Sequence, residues 1–178
     1  MLETRRLRLR RFRASDQAAL VALDSDALVM RYVGSPPGAR APDETADRVR
    51  QRIAADHGPY GWWIVEGRED GAFHGVGLLL PMPDGEDVEV GYRLARESWG
   101  RGIATEAASA LVAYGFRDAG LSRLVAVAYP DNRASRRVLE KVGFVYEGVA
   151  DYRGARIDRF SLSAGAWRAA GGRGGAPG

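Results

Sequence analysis

At 178 residues, with 46% hydrophobic and 28% charged content, the chain has the size and balance of a single domain with a substantial core. It contains no Cys, which excludes disulfides, thiolate metal sites and a cysteine nucleophile; the formal net charge of +3 rests almost wholly on Arg, Lys141 being the sole lysine. No apolar run is long enough to span a bilayer and "MLETRRLRLR" carries no apolar segment of a secretion signal, so a cytoplasmic location is expected.

In chain order, "RRLRLRRF" alternates Arg with Leu7, Leu9 and Phe12, the period of a strand with one buried face. Its arginines then line the other face, either as a solvated edge that blocks aggregation or as a nucleic-acid patch, for which no aromatic platform or known motif is present. Ser15 stands as N-cap before "DQAALVAL", a first helix. "GSPPGARAP" is a loop, and Asp43 to Ala55 reads as a second helix, apolar through Ala46, Val49 and Ile53. "GWWIVEG" and "FHGVGLLLP" are strands joined by a turn at Glu69 to Gly71. In the next strand, "DVEVGYRLA", Val88, Val90, Tyr92 and Leu94 share one face while Glu89, Gly91 and Arg93 share the other.

From Gly102 to about Ala119 the pattern is helical, and "LSRLVAVAY" is a buried strand. Asn132 is placed to cap a short helix closed by Gly143; "FVYEGVAD" and "RIDRFSLSA" form a last antiparallel pair. The order implies an α/β chain with a mixed sheet. Residues 1–168 are expected to form one domain and the Gly-rich residues 169–178 a disordered tail. His57 and His74 lack a second ligand at metal spacing, so no metal is expected.

"RESWGRGIATEA", residues 96 to 107, is the stretch with the most chemistry. A glycine bend running into a helix exposes backbone N–H groups with no intrahelical acceptor, and the helix dipole adds about half a positive charge there. Such a bend seats a phosphate or pyrophosphate. A P-loop would need Lys-Ser/Thr where Ile103 and Ala104 stand, and a dinucleotide fingerprint would need Gly or Ala at Thr105. A ligand-free tight turn accounts for one glycine more readily than for two flanking Arg101.

The segment resembles motif A of the GNAT N-acetyltransferase superfamily, Gln/Arg-x-x-Gly-x-Gly/Ala, with Trp99 standing in the Gln/Arg position. A Trp-Gly-x-Gly form followed by Glu-Ala is similar to the branch of ribosomal-protein N-terminal acetyltransferases, RimJ/RimL-like. "NRASRRVLEKVGF" resembles motif B of that branch, and "ETRRLRLR" and "EVGYRLA" match as well, so the resemblance covers nearly residues 2 to 167. It implies a mixed, mostly antiparallel sheet of about seven strands flanked by about four helices, with the fourth and fifth strands splayed.

The resemblance also implies acetyl-CoA as co-substrate. Backbone N–H groups of Arg101, Gly102, Ile103, Ala104 and Thr105 would hold its pyrophosphate, with the Arg101 side chain adding a contact. Backbone groups around Arg93, Leu94 and Arg96 would pair with the pantetheine arm, and Asn132 would bond it or act only as N-cap. Arg136 or Arg137 would reach the 3′-phosphate or lie on a solvated helix face. Glu89 would be the base, through water, or a surface carboxylate paired with Arg93. Ser135 would protonate the CoA sulfur or serve only as the third residue of its helix. Glu106 would brace the loop, and His74 would be structural. Tyr32, Trp62, Trp63 and Tyr152 would line the acceptor pocket or belong to the core.

The acceptor implied is a primary amine: a protein N-terminus, an antibiotic amine, a polyamine or an amino acid. Removing the proton from a lysine-like amine at neutral pH costs about 4–5 kcal/mol, from an α-amine about 1 kcal/mol. With no Cys and no suitably placed His, direct attack in a ternary complex is favoured over an acyl-enzyme. A monomer or homodimer is expected, with no membrane partner. An acyl-CoA sensor without turnover and a nucleic-acid binder using the first strand are the competing functions.

Overall fold

The computed structural model describes residues 1–34, 36–55, 58–83, 85, 87–152 and 154–172. Among these, eight strands form one sheet: β1 (Leu2–Glu3), β2 (Leu7–Arg11), β3 (Gly61–Gly67), β4 (Phe73–Pro81), β5 (Val88–Leu94), β6 (Arg123–Ala128), β7 (Val145–Tyr152) and β8 (Ala155–Ser163). The helices are α1 (Gln17–Ser25), α2 (Ala27–Met30), α3 (Pro42–Ala54), α4 (Ile103–Arg117), α5 (Arg133–Val142) and α6 (Ala164–Ala169). The elements beyond the expected seven strands and four helices are short: β1, α2 and α6.

The strand order is β1-β2-β3-β4-β5-β6-β8-β7. Every pairing is antiparallel except β5 with β6, which α4 joins as a crossover. Two apolar clusters explain why β3 and β4 read as continuous apolar runs rather than alternating ones. Trp63, Val65 and Leu79 join Ile103, Leu111 and Phe116 in one cluster. Ile64 and Val76 join Leu20, Leu23 and Val49 in the other. A strand covered on both faces has no polar face to show. Leu7, Leu9, Leu79 and Leu111 are each 0% exposed, and each such burial stabilises by about 1.5–3 kcal/mol.

The first strand is not an edge, since β1 lies outside it. Its arginines turn onto the molecule: Arg10 onto Asp16 and Glu66, Arg8 onto Glu3 and Glu66, and Arg11 onto carbonyls of Gly58, Pro59 and Tyr60. The guanidiniums that suggest a nucleic-acid face in the sequence therefore hold β2 to its neighbours. Ser15 is not the cap of α1. A 3-10 turn, Ala14–Asp16, precedes that helix, and the Asp16 carboxylate accepts from the Arg13 amide at 2.7 Å and from both terminal nitrogens of Arg10 at 2.8 Å. A carboxylate beside a guanidinium offers stronger bonds than a serine hydroxyl there.

Ala169, within the expected tail, is the last residue of α6, and residues 170–172 follow it bonded back onto that helix. The amides of Ala170, Gly171 and Gly172 bond back to Ala166, Arg168 and Trp167, and Trp167 packs on Phe116 with ring centroids 5.4 Å apart. Residues 173–178 of the expected tail, and His57, lie outside the described residues.

β4 and β5 share seven register positions, from Gly75↔Leu94 to Pro81↔Val88, whereas β5 and β6 share one, Glu89↔Val125. Beyond Glu89 the two parallel strands part. The gap opens toward the C-terminal ends of β5 and β6, beside the N-termini of α4 and α5.

Candidate functional site

The loop between β5 and α4 is a 3-10 turn, Arg96–Ser98, followed by Trp99, Gly100, Arg101 and Gly102. Gly100 and Gly102 take φ of +70° and +76°, the left-handed region in which a side chain is strained. Gly102 caps α4 through its backbone, its carbonyl receiving the Glu106 amide at 3.1 Å. The amides of Ile103, Ala104 and Thr105 thus precede the first intrahelical bond and face outward at the positive end of a 15-residue helix.

A carboxylate holds this loop from behind. Glu106 accepts from the Thr4 hydroxyl at 2.6 Å, the Arg6 amide at 2.9 Å and Arg6 Nε at 2.7 Å. Arg6 Nη1 in turn donates to the Arg101 carbonyl at 3.0 Å. The residue expected to brace the loop does so, with partners from the turn before β2. Burial alone would raise the Glu106 carboxyl, but the Thr4 hydroxyl and the Arg6 amide and guanidinium bring it below its usual value. A carboxyl depressed in the folded state adds stability above its unfolded pKa, and that stability is lost as pH falls through the folded value. The melting temperature of Glu106→Gln is therefore expected to fall less steeply than that of the parent below about pH 4.5. Parallel acid titrations followed by circular dichroism check this; identical slopes would deny Glu106 the role.

Trp99, the departure from the general motif, has a local reason. Its indole Nε1 donates to the Leu94 carbonyl at 2.8 Å and its amide to the Arg96 carbonyl at 3.0 Å, closing the 3-10 turn. Two carbonyls expected to face a pantetheine arm thus already accept bonds within the loop. The Arg96 side chain reaches Asp26 at 2.7 Å, and Asp26 also caps α2 by accepting from the Leu28 and Val29 amides. Burial lowers the His74 imidazole below its ordinary value, and its Nδ1 lies 2.8 Å from Ser98 Oγ beneath the loop. That is a structural placement, as expected.

Where β5 and β6 part, α5 presents its first turn. Asn132 Oδ1 accepts from the Ser135 amide at 3.2 Å, the bond of an N-cap. Ser135 Oγ lies 3.1 Å from the Tyr92 hydroxyl, which also lies 3.2 Å from the Ser135 carbonyl. Burial pushes the Tyr92 phenol up to about 12, with the Ser135 bond opposing. On the other face of β5, half-buried Glu89 accepts from the Tyr152 hydroxyl at 3.1 Å. Tyr152 ends β7, so the last residue of that strand reaches Glu89 of β5.

Several expected contacts go elsewhere. Arg93 does not pair with Glu89; Nε and Nη2 grip Asp24 at 2.7 and 3.0 Å, and Arg52 adds a third bond to Asp24 at 2.6 Å. Buried Asp24 gives Arg93 a desolvated partner that the half-buried Glu89 does not match. Arg136 pairs with buried Asp158 at 2.6 Å and lies over Tyr146 and Phe160; Arg137 is exposed on α5. Trp63 is 2% exposed and stacks edge-on to Tyr114, so it belongs to the core. Trp62 packs against Phe12 beneath the guanidiniums of Arg52 and Arg93. Tyr32 sits 6.2 Å from Tyr129, just past the end of β6, where the Tyr129 hydroxyl donates to the Gly34 carbonyl at 2.8 Å.

Alternation places Tyr92 on the core face with Val88 and Val90, so the sequence pattern does not single it out as a site residue. The signal it does carry is its polar tip, since a buried tyrosine hydroxyl requires a partner. Among the described residues no group of three or more His, Asp or Glu could hold a metal, and no helix is long and apolar enough to cross a membrane.

Residues 6–145 match the family model described as "Acetyltransferase (GNAT) domain". The chain is 37% identical over 150 residues to the uncharacterized protein YkkB of Bacillus subtilis, covering 82% of this chain and 85% of that protein. It is 35% identical over 151 residues to the uncharacterized N-acetyltransferase YoaA of the same organism, covering 84% and 85%. Among solved structures, a GNAT-family acetyltransferase from Bacillus anthracis superposes with a TM-score of 0.77 at 25% identity, covering 91% of this chain and 97% of that one.

Proposed function

The chain belongs to the acetyltransferase (GNAT) family, and from that premise we propose how this acetyl-CoA-dependent N-acetyltransferase uses its site on a primary amine. The observation that carries the reading is the juxtaposition at the parted strands. Outward amides of α4 stand behind two left-handed glycines, Ser135 and Tyr92 meet on one side of β5, and Glu89 and Tyr152 meet on the other.

The residues fit the co-substrate. The amides of Ile103, Ala104 and Thr105, with the Arg101 and Gly102 backbone, receive the pyrophosphate; Arg101 adds charge, and Arg137 replaces Arg136 as the side chain for the 3′-phosphate. Asn132 caps α5 and orients Ser135. The acceptor amine enters past Tyr152, at the end of β7, and Tyr32, just after α2. Glu89 takes the ammonium proton through water and the neutral nitrogen attacks the thioester carbonyl directly; as the C–S bond breaks, Ser135 passes its proton to the sulfur and is reprotonated, through water, by the proton that the new amide nitrogen sheds. The Trp-Gly-x-Gly and Asn-x-x-Ser forms favour the RimJ/RimL-like branch, hence a protein N-terminus or a similar α-amine, whose deprotonation costs only about 1 kcal/mol at neutral pH.

Acetyl-CoA at a hundredfold excess over its Kd is expected to add about 2.7 kcal/mol, which raises the melting temperature by about 5–10 °C. Thiol release should then depend on an added amine, with peptide N-termini preferred. No shift at millimolar acetyl-CoA would overturn the reading. A shift with no amine-dependent thiol release would mark a sensor instead.

A further inference from the structure

The Tyr92 hydroxyl has one proton and two neighbours on a single residue, the carbonyl and the Oγ of Ser135, at 3.2 and 3.1 Å. Tyr92 is partly buried, its side chain leaving β5 on the side that faces α5, where β5 and β6 no longer pair. Two proton arrangements satisfy this geometry. In one, Tyr92 donates to the Ser135 carbonyl and accepts the Ser135 hydroxyl proton, so Ser135 turns its proton inward. In the other, Tyr92 donates to Ser135 Oγ, and the Ser135 proton is released to point into the gap. Switching needs two hydroxyl rotations and transfers no proton between oxygens, so both groups stay neutral.

We propose that Tyr92 is a positioning residue whose hydroxyl turns the Ser135 proton toward the leaving sulfur. This rests on the proposed role of Ser135 as donor to that sulfur. At rest the carbonyl holds the Tyr92 proton. As negative charge grows on the sulfur, Ser135 swings its proton outward, and the Tyr92 O–H turns to donate a hydrogen bond to the Oγ lone pair left without a donor. The bond from Tyr92 then polarises the Ser135 O–H and strengthens its donation at the moment the C–S bond breaks, an interaction stronger in the transition state than in the ground state. Asn132, by fixing the Ser135 amide, keeps Oγ in reach of both.

A double-mutant cycle tests this. Tyr92→Phe removes one oxygen and is expected to lower kcat about tenfold, while KM for acetyl-CoA and the melting temperature stay near the parent values. If Tyr92 acts through Ser135, then Tyr92→Phe adds nothing in a Ser135→Ala background, and the double variant turns over like Ser135→Ala alone. Multiplying effects, or a parent-like kcat in Tyr92→Phe, would overturn the inference. Tyr92→Met, which fills part of the same space with a flexible apolar chain and no hydroxyl, gives a second cycle if the phenylalanine variant is unstable. A parent chain that releases no thiol with any amine would instead sink the functional reading, a result visible before any variant is made.

Discussion

Asp24→Ala is expected to lose about 3–5 kcal/mol of folding stability, because it breaks a buried ion pair from one side. The carboxylate is 2% exposed and receives three charge-assisted bonds, two from Arg93 and one from Arg52. Truncation strands the Arg93 guanidinium, 8% exposed, in a site it cannot leave and where it cannot shed its proton. Trp62, 5.0 Å from both guanidiniums, offsets part of the cost through its ring face and places the effect toward the lower end. Chemical denaturation should show the midpoint falling with little change in slope. The paired replacement Asp24→Leu with Arg93→Met should recover most of the loss, because it removes the charge on both sides of the pair. A loss under about 1 kcal/mol for Asp24→Ala would mean that water still reaches the pair. Arg93 follows Tyr92 directly on β5, so this pair also fixes the strand that carries both sides of the site.

The readable parts of the chain are those whose physics is local. Period two locates β2 and β5, two glycines before a run of small helix formers locate the start of α4, and Asn132 locates α5. Each signal lies within a few residues. The roles of arginine are not readable in the same way. Sequence alone gives the side chains of Arg93 and Arg136 to a neighbour or to the co-substrate, yet the structure gives them Asp24 and Asp158, 69 and 22 residues away. Long side chains choose among carboxylates by burial and distance, and neither is written along the chain. The same limit separates Trp62 from Trp63. Alternation puts them on opposite faces of β3, but which face meets α4 and which meets α1 and α3 follows from the crossover. The bracing role of Glu106 is read from the family resemblance; its partners Thr4 and Arg6, 102 and 100 residues away, carry no signal along the chain.

Glu89→Gln is expected to lower kcat/KM by about tenfold for an α-amine and by about 10²–10³ for a lysine-like amine, with acetyl-CoA affinity unchanged. The substitution keeps the shape, and Glu89 lies on the face of β5 opposite the Ser135 contact, away from the amides of α4. The size of the loss should depend on the acceptor. At pH 7 about a tenth of an α-amine of pKa 8 is already neutral, so a base removes little cost; about 0.04% of a lysine-like amine is neutral, so the base matters more. Raising the pH should restore Glu89→Gln about tenfold per unit until the pKa of the amine is reached, and that pKa, not the carboxylate, should then set the profile. Tyr152→Phe removes the hydroxyl that donates to Glu89 and should give a smaller loss with the same acceptor order, because it alters the carboxylate without removing it. Steady-state kinetics on a peptide N-terminus and on a simple alkylamine, each from pH 6 to about 10, read all three effects together. Equal losses on both amines, with no recovery at high pH, would remove Glu89 from proton transfer and leave it as a wall of the acceptor site.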